Sequence, residues 1–345
     1  MPFYKELRLI DDIKEKERIC NKILELRKGL SDDLPVKTVH DTLLIASWNI
    51  REFAESNKGG TRLDESYYYI AEIISKFDII AVQEVRDDLS ALKRLMKILG
   101  YGWTYIATDT VLGTSGNSER LAFIYDTSKV TFRGIAGEIV LSDKSLVTKQ
   151  QFARTPFTVY FQSGWFKFVI TTVHIFYGTD SGAKLQRRID EIAKIVSTLD
   201  ERIKKDEENT YIVLGDFNII SPEHKTMQAL KSKNFIIPAN LEKIPSNFKE
   251  DKHYDQIAFK TNKGKLEFTN SKNCSGVFKY YKYVFKENED DIYYPLIKAK
   301  GKVNKAKAYA EWKTYQMSDH LPMFVEVKID FSNYYLENLP KEHKP

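Results

Sequence analysis

Three short apolar runs in this chain each stop on polar residues that an apolar interior would not accept alone. Leu43-Leu44-Ile45-Ala46 leads into Ser47-Trp48-Asn49-Ile50-Arg51. Ile79-Ile80-Ala81-Val82 leads into Gln83-Glu84-Val85-Arg86-Asp87. Tyr211-Ile212-Val213-Leu214 leads into Gly215-Asp216-Phe217-Asn218, and a further strand over 166–173 ends on His174. Unbroken apolar runs of this length read as strands covered on both faces. A charged group placed after such a strand is costly to bury unpaired, so it belongs at a sheet edge facing a cleft. The pattern calls for sheets covered by other layers, with polar groups gathered where strands stop.

Helical periodicity fills the intervals. Ile70, Ile73 and Ile74 mark a helix near 64–76, and Leu185, Ile189, Ile192, Val196, Leu199 and Ile203 line the inner side of another over 184–204. Further strands are expected at 103–107, 120–125, 156–162, 255–260 and 322–329. Strands alternate with helices early and pair directly elsewhere, which predicts an α/β sandwich of two packed sheets with helices outside. Residues 4–30 read as a helix carrying Ile13, Ile19, Ile23, Leu26 and Leu30 at helical spacing. It is either a cap packed on the main domain or a helix for a partner contact. The expected organisation is a helical extension over 1–40, a catalytic domain over 41–330 and a tail over 331–345. Residues 265–315 form a Lys/Tyr-rich insertion, with Phe278-Lys279-Tyr280-Tyr281-Lys282-Tyr283 and then Lys298, Lys300, Lys302, Lys305 and Lys307 around Gly301. A solvated insertion is expected there, with an exposed loop around Gly301, or else a phosphate-tracking surface, since interleaved cations and aromatics suit nucleic acid.

Composition narrows the class. With 345 residues, 42% of them hydrophobic, one large core is possible. A net charge of +5 is compatible with a polyanionic substrate without requiring one. Cys20 and Cys274 are the only cysteines, which excludes a cysteine metal site by number and makes a disulfide framework improbable. No apolar run approaches the roughly 20 residues that span a bilayer, and Met1 to Glu6 lacks a secretory apolar stretch. The expectation is a cytoplasmic monomer without membrane contact.

The polar motifs have complementary chemistry. Glu84 and Asn49 offer a carboxylate and a neutral amide oxygen, a pair that suits Mg²⁺, or Mn²⁺. Asp216 and Asn218 leave the tight exit at Gly215 on one side, where they can hold a second ion or position water and phosphate. His174 and His320 are two of six histidines. Glu119, in Ser118-Glu119-Arg120, and Asp255, in Tyr254-Asp255, are carboxylates that could fix their tautomers. Cleaving a phosphodiester needs a base for water and an acid for the leaving oxygen. Arg154 and Arg120 could fork a phosphate, with a surface ion pair as the alternative for Arg120.

Taken together, these motifs resemble the endonuclease/exonuclease/phosphatase superfamily over about residues 42–330, and are most similar to its deoxyribonuclease I-like branch. Ile45-Ala46-Ser47-Trp48-Asn49-Ile50-Arg51-Glu52-Phe53 is similar to that branch's opening strand and loop, and Phe77 to Asp87 is closer still. The Val85-Arg86-Asp87 that follows Gln83-Glu84 resembles this branch rather than the abasic-site endonucleases. The resemblance implies a four-layer α/β sandwich with two mixed sheets. It implies Glu84 as the principal metal ligand, with Asn49 beside it and Asp319 supporting the site. Glu119 would orient His174, and Asp255 would orient His320. Asp216 and Asn218 would meet phosphate, water or a second ion. Arg154 would bind phosphate, Arg86 would enter the minor groove of DNA, and Arg120 and Tyr254 would join the substrate-binding set. Some positions depart from the branch. Asn117 stands where it has a tyrosine, its disulfide cysteines are missing, and the 4–30 helix and the insertion have no counterpart in the short secreted enzymes.

The function expected is metal-dependent phosphodiester hydrolysis, with DNA as substrate and endonucleolytic cutting. A phosphatase or phospholipid phosphodiesterase is the alternative on the same scaffold. Phe217 and Ile219-Ile220 disfavour it, because inositol-phosphate phosphatases carry Gly-Asp-Leu-Asn-Tyr-Arg there. An RNA-directed nuclease and a binding protein that has lost catalysis complete the field.

Overall fold

The computed structural model describes residues 1–110, 118–147, 150–297 and 304–341. Among these described residues thirteen strands follow in chain order: β1 (Thr42–Phe53), the short hairpin β2 (Ser56–Asn57) and β3 (Gly60–Thr61), β4 (Ile79–Arg86), β5 (Trp103–Ala107), β6 (Glu119–Asp126), β7 (Thr131–Glu138), β8 (Phe157–Ser163), β9 (Phe166–His174), β10 (Thr210–Asp216), β11 (Asp255–Thr261), β12 (Ser275–Val277) and β13 (Met323–Lys328). They build a six-stranded sheet in the order β12-β13-β1-β4-β6-β5 and a five-stranded sheet in the order β11-β10-β9-β8-β7.

Each sheet has one parallel pair, β1 with β4 and β9 with β10, and antiparallel neighbours around it. A parallel pair needs a crossover, and the helices Asp64–Ile74 and Gly182–Ile203 supply the two. Strand alternation divides the core. On β1, Leu43 and Ile45 face the other sheet, while Leu44, Ala46, Trp48 and Ile50 lie under the outer helices. The expected two-sheet sandwich is therefore the observed fold.

This topology explains where the polar motifs gather. The parallel strands end at one edge, carrying Asn49, Glu84, His174 and Asp216 there. Their antiparallel neighbours begin at that edge, carrying Glu119 on β6 and Asp255 on β11. The register sets Asp216 beside both His174 and Asp255, and Arg86 opposite Glu119.

Two expectations are corrected. The N-terminal helix runs over Ile13–Asp33, preceded by a separate turn at Lys5–Leu9, because Asp12 caps it by accepting from the backbone N–H of Lys14 at 2.8 Å. Ile13 is exposed, whereas Ile19, Ile23, Leu26 and Leu30 are buried. The insertion is not merely solvated where it is described. Phe278, Tyr280, Val284, Phe285, Tyr293, Tyr309 and Trp312 share one core cluster with the N-terminal helix. Arg18 of that helix pairs with Glu65 at 2.7 Å and donates to the Tyr293 hydroxyl. Lys298, Lys300, Gly301 and Lys302 lie outside the described residues, as does Asn117. Among the described residues, no helix is long and apolar enough to cross a membrane.

Leu26→Ala tests whether this extension is integral to the core. It empties a fully buried site in the core cluster that the helix shares with the insertion. Unfolding in urea is expected to show a loss of about 2–5 kcal/mol. A change within experimental error would mean that the helix is only loosely docked.

Candidate active site

The shared sheet edge opens into a cleft of 560 Å³, lined by Arg51, Glu52, Lys58, Glu84, Arg86, Glu119, Arg154, His174, Tyr177, Asp216, Asn218, Tyr254, Asp319 and His320. A larger groove, near Phe3 and Trp103, has an apolar lining and none of these groups.

Two imidazoles face one carboxylate. His174 Nε2 lies 3.5 Å from Asp216 Oδ2, and His320 Nε2 lies 3.7 Å from the same oxygen. Each imidazole has its own carboxylate behind it. His320 Nδ1 is 2.8 Å from Asp255 Oδ2 in a buried hydrogen bond. His174 Nδ1 is 3.1 Å from Glu119 Oε2, without the alignment of a full hydrogen bond. Burial disfavours the His320 imidazolium, but Asp255 and Asp216 outweigh it and raise the group well above its ordinary value. Burial likewise pushes the Asp255 carboxyl up, so the pair holds one proton tightly. Burial also opposes ionisation of Glu119, yet His174 and Arg154 prevail and bring its carboxyl down to about 2.

Arg154 grips Glu119 as a fork, with Nε donating to Oε2 at 2.6 Å and Nη2 to Oε1 at 3.3 Å. Arg86 reaches the cleft between Glu119 and Glu52, 3.9 Å from each. Tyr254 packs over His320, with ring centroids 5.5 Å apart. Arg120 is placed differently. It does not line the cleft, and donates instead to the Thr108 carbonyl at 2.8 Å and to Asp109 at 3.1 Å.

Asn49, Glu84 and Asp319 have the chemistry of a hard-cation site. Asn49 Nδ2 donates to Asp216 Oδ2 at 3.1 Å, which aims its Oδ1 elsewhere, and that buried oxygen has no hydrogen-bond partner. Leaving a buried acceptor unmet is costly, and a divalent cation would satisfy it. Glu84 adopts a left-handed backbone with φ 61, and its Oε2 accepts from the Glu52 N–H at 2.8 Å. Desolvation pushes the Glu84 carboxyl up, a shift that a cation would reverse. Asp319 lines the cleft with a half-exposed carboxylate. Asp216, Asp255 and His320 also bring ligand atoms within 4.8 Å of one another. There, however, Asp255 Oδ2 already accepts from Ser246 and meets His320 Nδ1. That closeness is what a carboxylate–imidazole pair requires.

Backbone geometry fixes Asp216 and Asn218. Gly215 has φ 132, and a Cβ there would lie 2.1 Å from the Val173 carbonyl oxygen. The Asn218 N–H donates to Asp216 Oδ1 at 2.8 Å, and its side chain donates to Ile175 O. Gly215→Ala is expected to cost roughly 2–4 kcal/mol and to move Asp216 out of place. Urea unfolding together with an activity assay would show both effects. Full activity at unchanged stability would refute the packing argument.

Sequence reasoning missed the supports. The loop bearing Asp319 and His320 hangs on hydroxyls: Ser318 Oγ donates to Asn49 O and accepts from the His320 N–H, while Tyr280 and Tyr281 donate to Ser318 O. Trp48 Nε1 donates to His320 O at 3.0 Å. Arg62 is fully buried and donates to the carbonyls of Arg51, Glu52, Ala54, Gln316 and Met317. It thereby ties the ends of two active-site loops, and burial lowers its guanidinium to about 10. Arg51, Lys58 and Tyr177 line the cleft and Ser246 supports Asp255, and none of these four had been given a role.

Known proteins resemble this chain over much of the segment that builds the cleft. A family model described as the "Endonuclease/Exonuclease/phosphatase family" matches residues 46–236. That range holds Asn49, Glu84, Glu119, Arg154, His174, Asp216 and Asn218, and stops before Asp255 and His320. A deoxyribonuclease of Thioalkalivibrio sp. (strain K90mix) is 28% identical over 207 residues, covering 58% of this chain and 52% of that protein. Deoxyribonuclease-1 of Gallus gallus is 31% identical over 186 residues, covering 51% of this chain and 61% of its own. The chain thus spans little more than half the length of these relatives. Among solved structures, a Bacteroides thetaiotaomicron endonuclease/exonuclease/phosphatase family protein superposes with a TM-score of 0.51 at 19% identity, covering 85% of this chain and 98% of that one. The human Nocturnin catalytic domain with bound sulfate gives 0.51 at 14%, covering 83% and 94%.

Proposed function

This chain belongs to the endonuclease/exonuclease/phosphatase family, and from that premise we propose that it is a metal-dependent phosphodiester hydrolase that cuts DNA. The observation that carries the reading is the pair of carboxylate-backed imidazoles converging on Asp216. Two proton carriers within reach of one point are what general acid–base displacement at phosphorus uses.

In the proposed reaction, the fraction of His320 that is unprotonated at Nε2, which grows with pH because Asp255 and Asp216 raise the group, takes a proton from water while Asp255 steadies Nδ1. The water oxygen bonds to phosphorus, and the bond from phosphorus to the leaving sugar oxygen breaks. His174 Nε2 supplies the proton that oxygen needs, with Glu119 orienting the ring. Asp216 and Asn218 position the water and the phosphate, and the Arg154 and Arg86 guanidiniums offset its charge. Arg120 serves from outside the cleft by holding the Thr108 carbonyl. Asn49, Glu84 and Asp319 would hold Mg²⁺ or Mn²⁺, which when bound neutralises charge on the scissile phosphate.

DNA is preferred because the sequence relatives are named deoxyribonucleases and Arg51, Lys58, Arg86 and Arg154 line the cleft beside its carboxylates. A panel at neutral pH tests the reading. Supercoiled plasmid, single-stranded DNA, RNA, a nucleotide and an inositol phosphate are each incubated with Mg²⁺ and with chelator. Metal-dependent nicking of plasmid is expected. Hydrolysis confined to the nucleotide or the inositol phosphate would sink the nuclease assignment.

A further inference from the structure

The inserted segment touches the cleft residue Arg51 through Thr314 and Tyr315, on the helix Lys305–Gln316. This buried ring stacks on the Arg51 guanidinium, whose carbon lies 3.7 Å from the ring centroid. Arg51 also donates to the Tyr315 hydroxyl at 2.8 Å and to the Thr314 hydroxyl. The Tyr315 carbonyl accepts from the Asn57 side chain at 3.0 Å. Tyr315 also packs on Gly59 so closely that a Cβ at Gly59 would sit 2.4 Å from Tyr315 Cβ. One residue therefore holds Arg51 and the tip of the β2–β3 hairpin, which carries Lys58 to the cleft.

The way Arg51 is held matters for charge. Its close partners are a ring and two hydroxyls, which are neutral, and its ion pair with Asp319 is long at 3.8 Å. An arginine fixed by neutral groups keeps its charge for an incoming anion. Lys58 stands at the mouth with most of its side chain in solvent, anchored to Glu52 at 2.6 Å.

We propose that Tyr315 is a positioning residue that holds Arg51 and Lys58 as a cationic rim for a phosphate flanking the scissile one. This rests on the phosphodiesterase reading above. It adds that the inserted segment selects polynucleotides over isolated diesters, because only a polynucleotide brings a second phosphate.

The experiment compares wild type, Tyr315→Ala, Tyr315→Phe and Gly59→Ala in the full chain. Substrates are a thymidylate 20-mer and bis(p-nitrophenyl) phosphate, a diester with no flanking phosphate. In Tyr315→Ala, KM for the 20-mer is expected to rise about tenfold with kcat within about twofold. Its preference for the 20-mer over the small diester should fall by the same factor. With chelator present, the slope of log Kd against log salt for the 20-mer should shrink by about 1. Tyr315→Phe keeps the stack and should stay within about threefold of wild type. Gly59→Ala displaces the hairpin without truncating the ring and should move the preference in the same direction. Equal losses on both substrates, an unchanged KM, or an unchanged salt slope would overturn the proposal. A wild type that hydrolyses neither substrate would sink the phosphodiesterase reading instead, and the binding measured in chelator would still report on the rim.

Discussion

Replacing His320 with alanine is expected to lower kcat on DNA about a thousandfold, roughly 4 kcal/mol of transition-state stabilisation. His320 is the better supported of the two imidazoles. Its Nδ1 has a 2.8 Å buried bond to Asp255, whose Oδ2 also accepts from Ser246. Its backbone is fixed by Trp48, Ser318 and Tyr280. A truncation there removes a preorganised proton carrier and leaves the scaffold around it intact. His174→Ala should also be severe, but the two losses should differ in kind. A substrate that leaves as p-nitrophenolate needs no protonation. It should restore much of the rate to the variant that lost the acid and little to the variant that lost the base. On the assignment above, His174→Ala is rescued and His320→Ala is not. The reverse outcome would exchange the two roles. If the doubly substituted protein cut plasmid at the wild-type rate, neither histidine would carry the proton. Asp255→Asn should fall between, because it keeps the imidazole but loses the charge that raises its basicity.

The sequence made the inner fold legible because central strands of a mixed sheet are buried on both faces. Runs such as Ile79 to Val82, short, rich in β-branched residues and bounded by polar ones, favour strands over helices. The strand-end motifs were legible for the same reason, since Glu84 and Asp216 follow runs that leave no room for a charge. What stayed hidden depends on contacts distant in sequence. Tyr280 and Tyr281 read as part of a solvated insertion, because nothing local reveals that their hydroxyls reach Ser318. The helix Lys305–Gln316 has lysines scattered among its alanines and aromatics, so no apolar stripe marks it. Arg62 gives no signal either. A buried guanidinium is normally sought beside a carboxylate, and this one is met by five carbonyls. The supports of the site were thus less visible than the reactive groups, because a support is defined by what it touches.

The second large effect concerns Glu84. Glu84→Gln is expected to reduce DNA cleavage in Mg²⁺ by a hundredfold or more, roughly 3 kcal/mol, while leaving the metal-free protein as stable as wild type or more so. The two signs share one cause. Burial raises the Glu84 carboxyl, so the folded chain holds that proton more tightly than the unfolded chain does. Ionising it therefore costs stability as pH rises above the ordinary carboxylate value of 4.5, and the cost is complete above the folded value. Glutamine keeps an oxygen for the Glu52 N–H and removes the charge. The left-handed backbone at Glu84, φ 61, is unaffected by this exchange. A bound divalent cation reverses the account by stabilising the carboxylate and meeting the orphaned Asn49 Oδ1. Wild type should therefore gain about 2.7 kcal/mol of stability when Mg²⁺ is at a hundred times its Kd, visible as a raised Tm that chelator abolishes. Glu84→Gln should lose that rise. If Glu84→Gln kept it and Asp255→Asn lost it, the ion would belong with Asp216, Asp255 and His320. The carboxylate behind His320 would then be a metal ligand rather than the group that orients the ring.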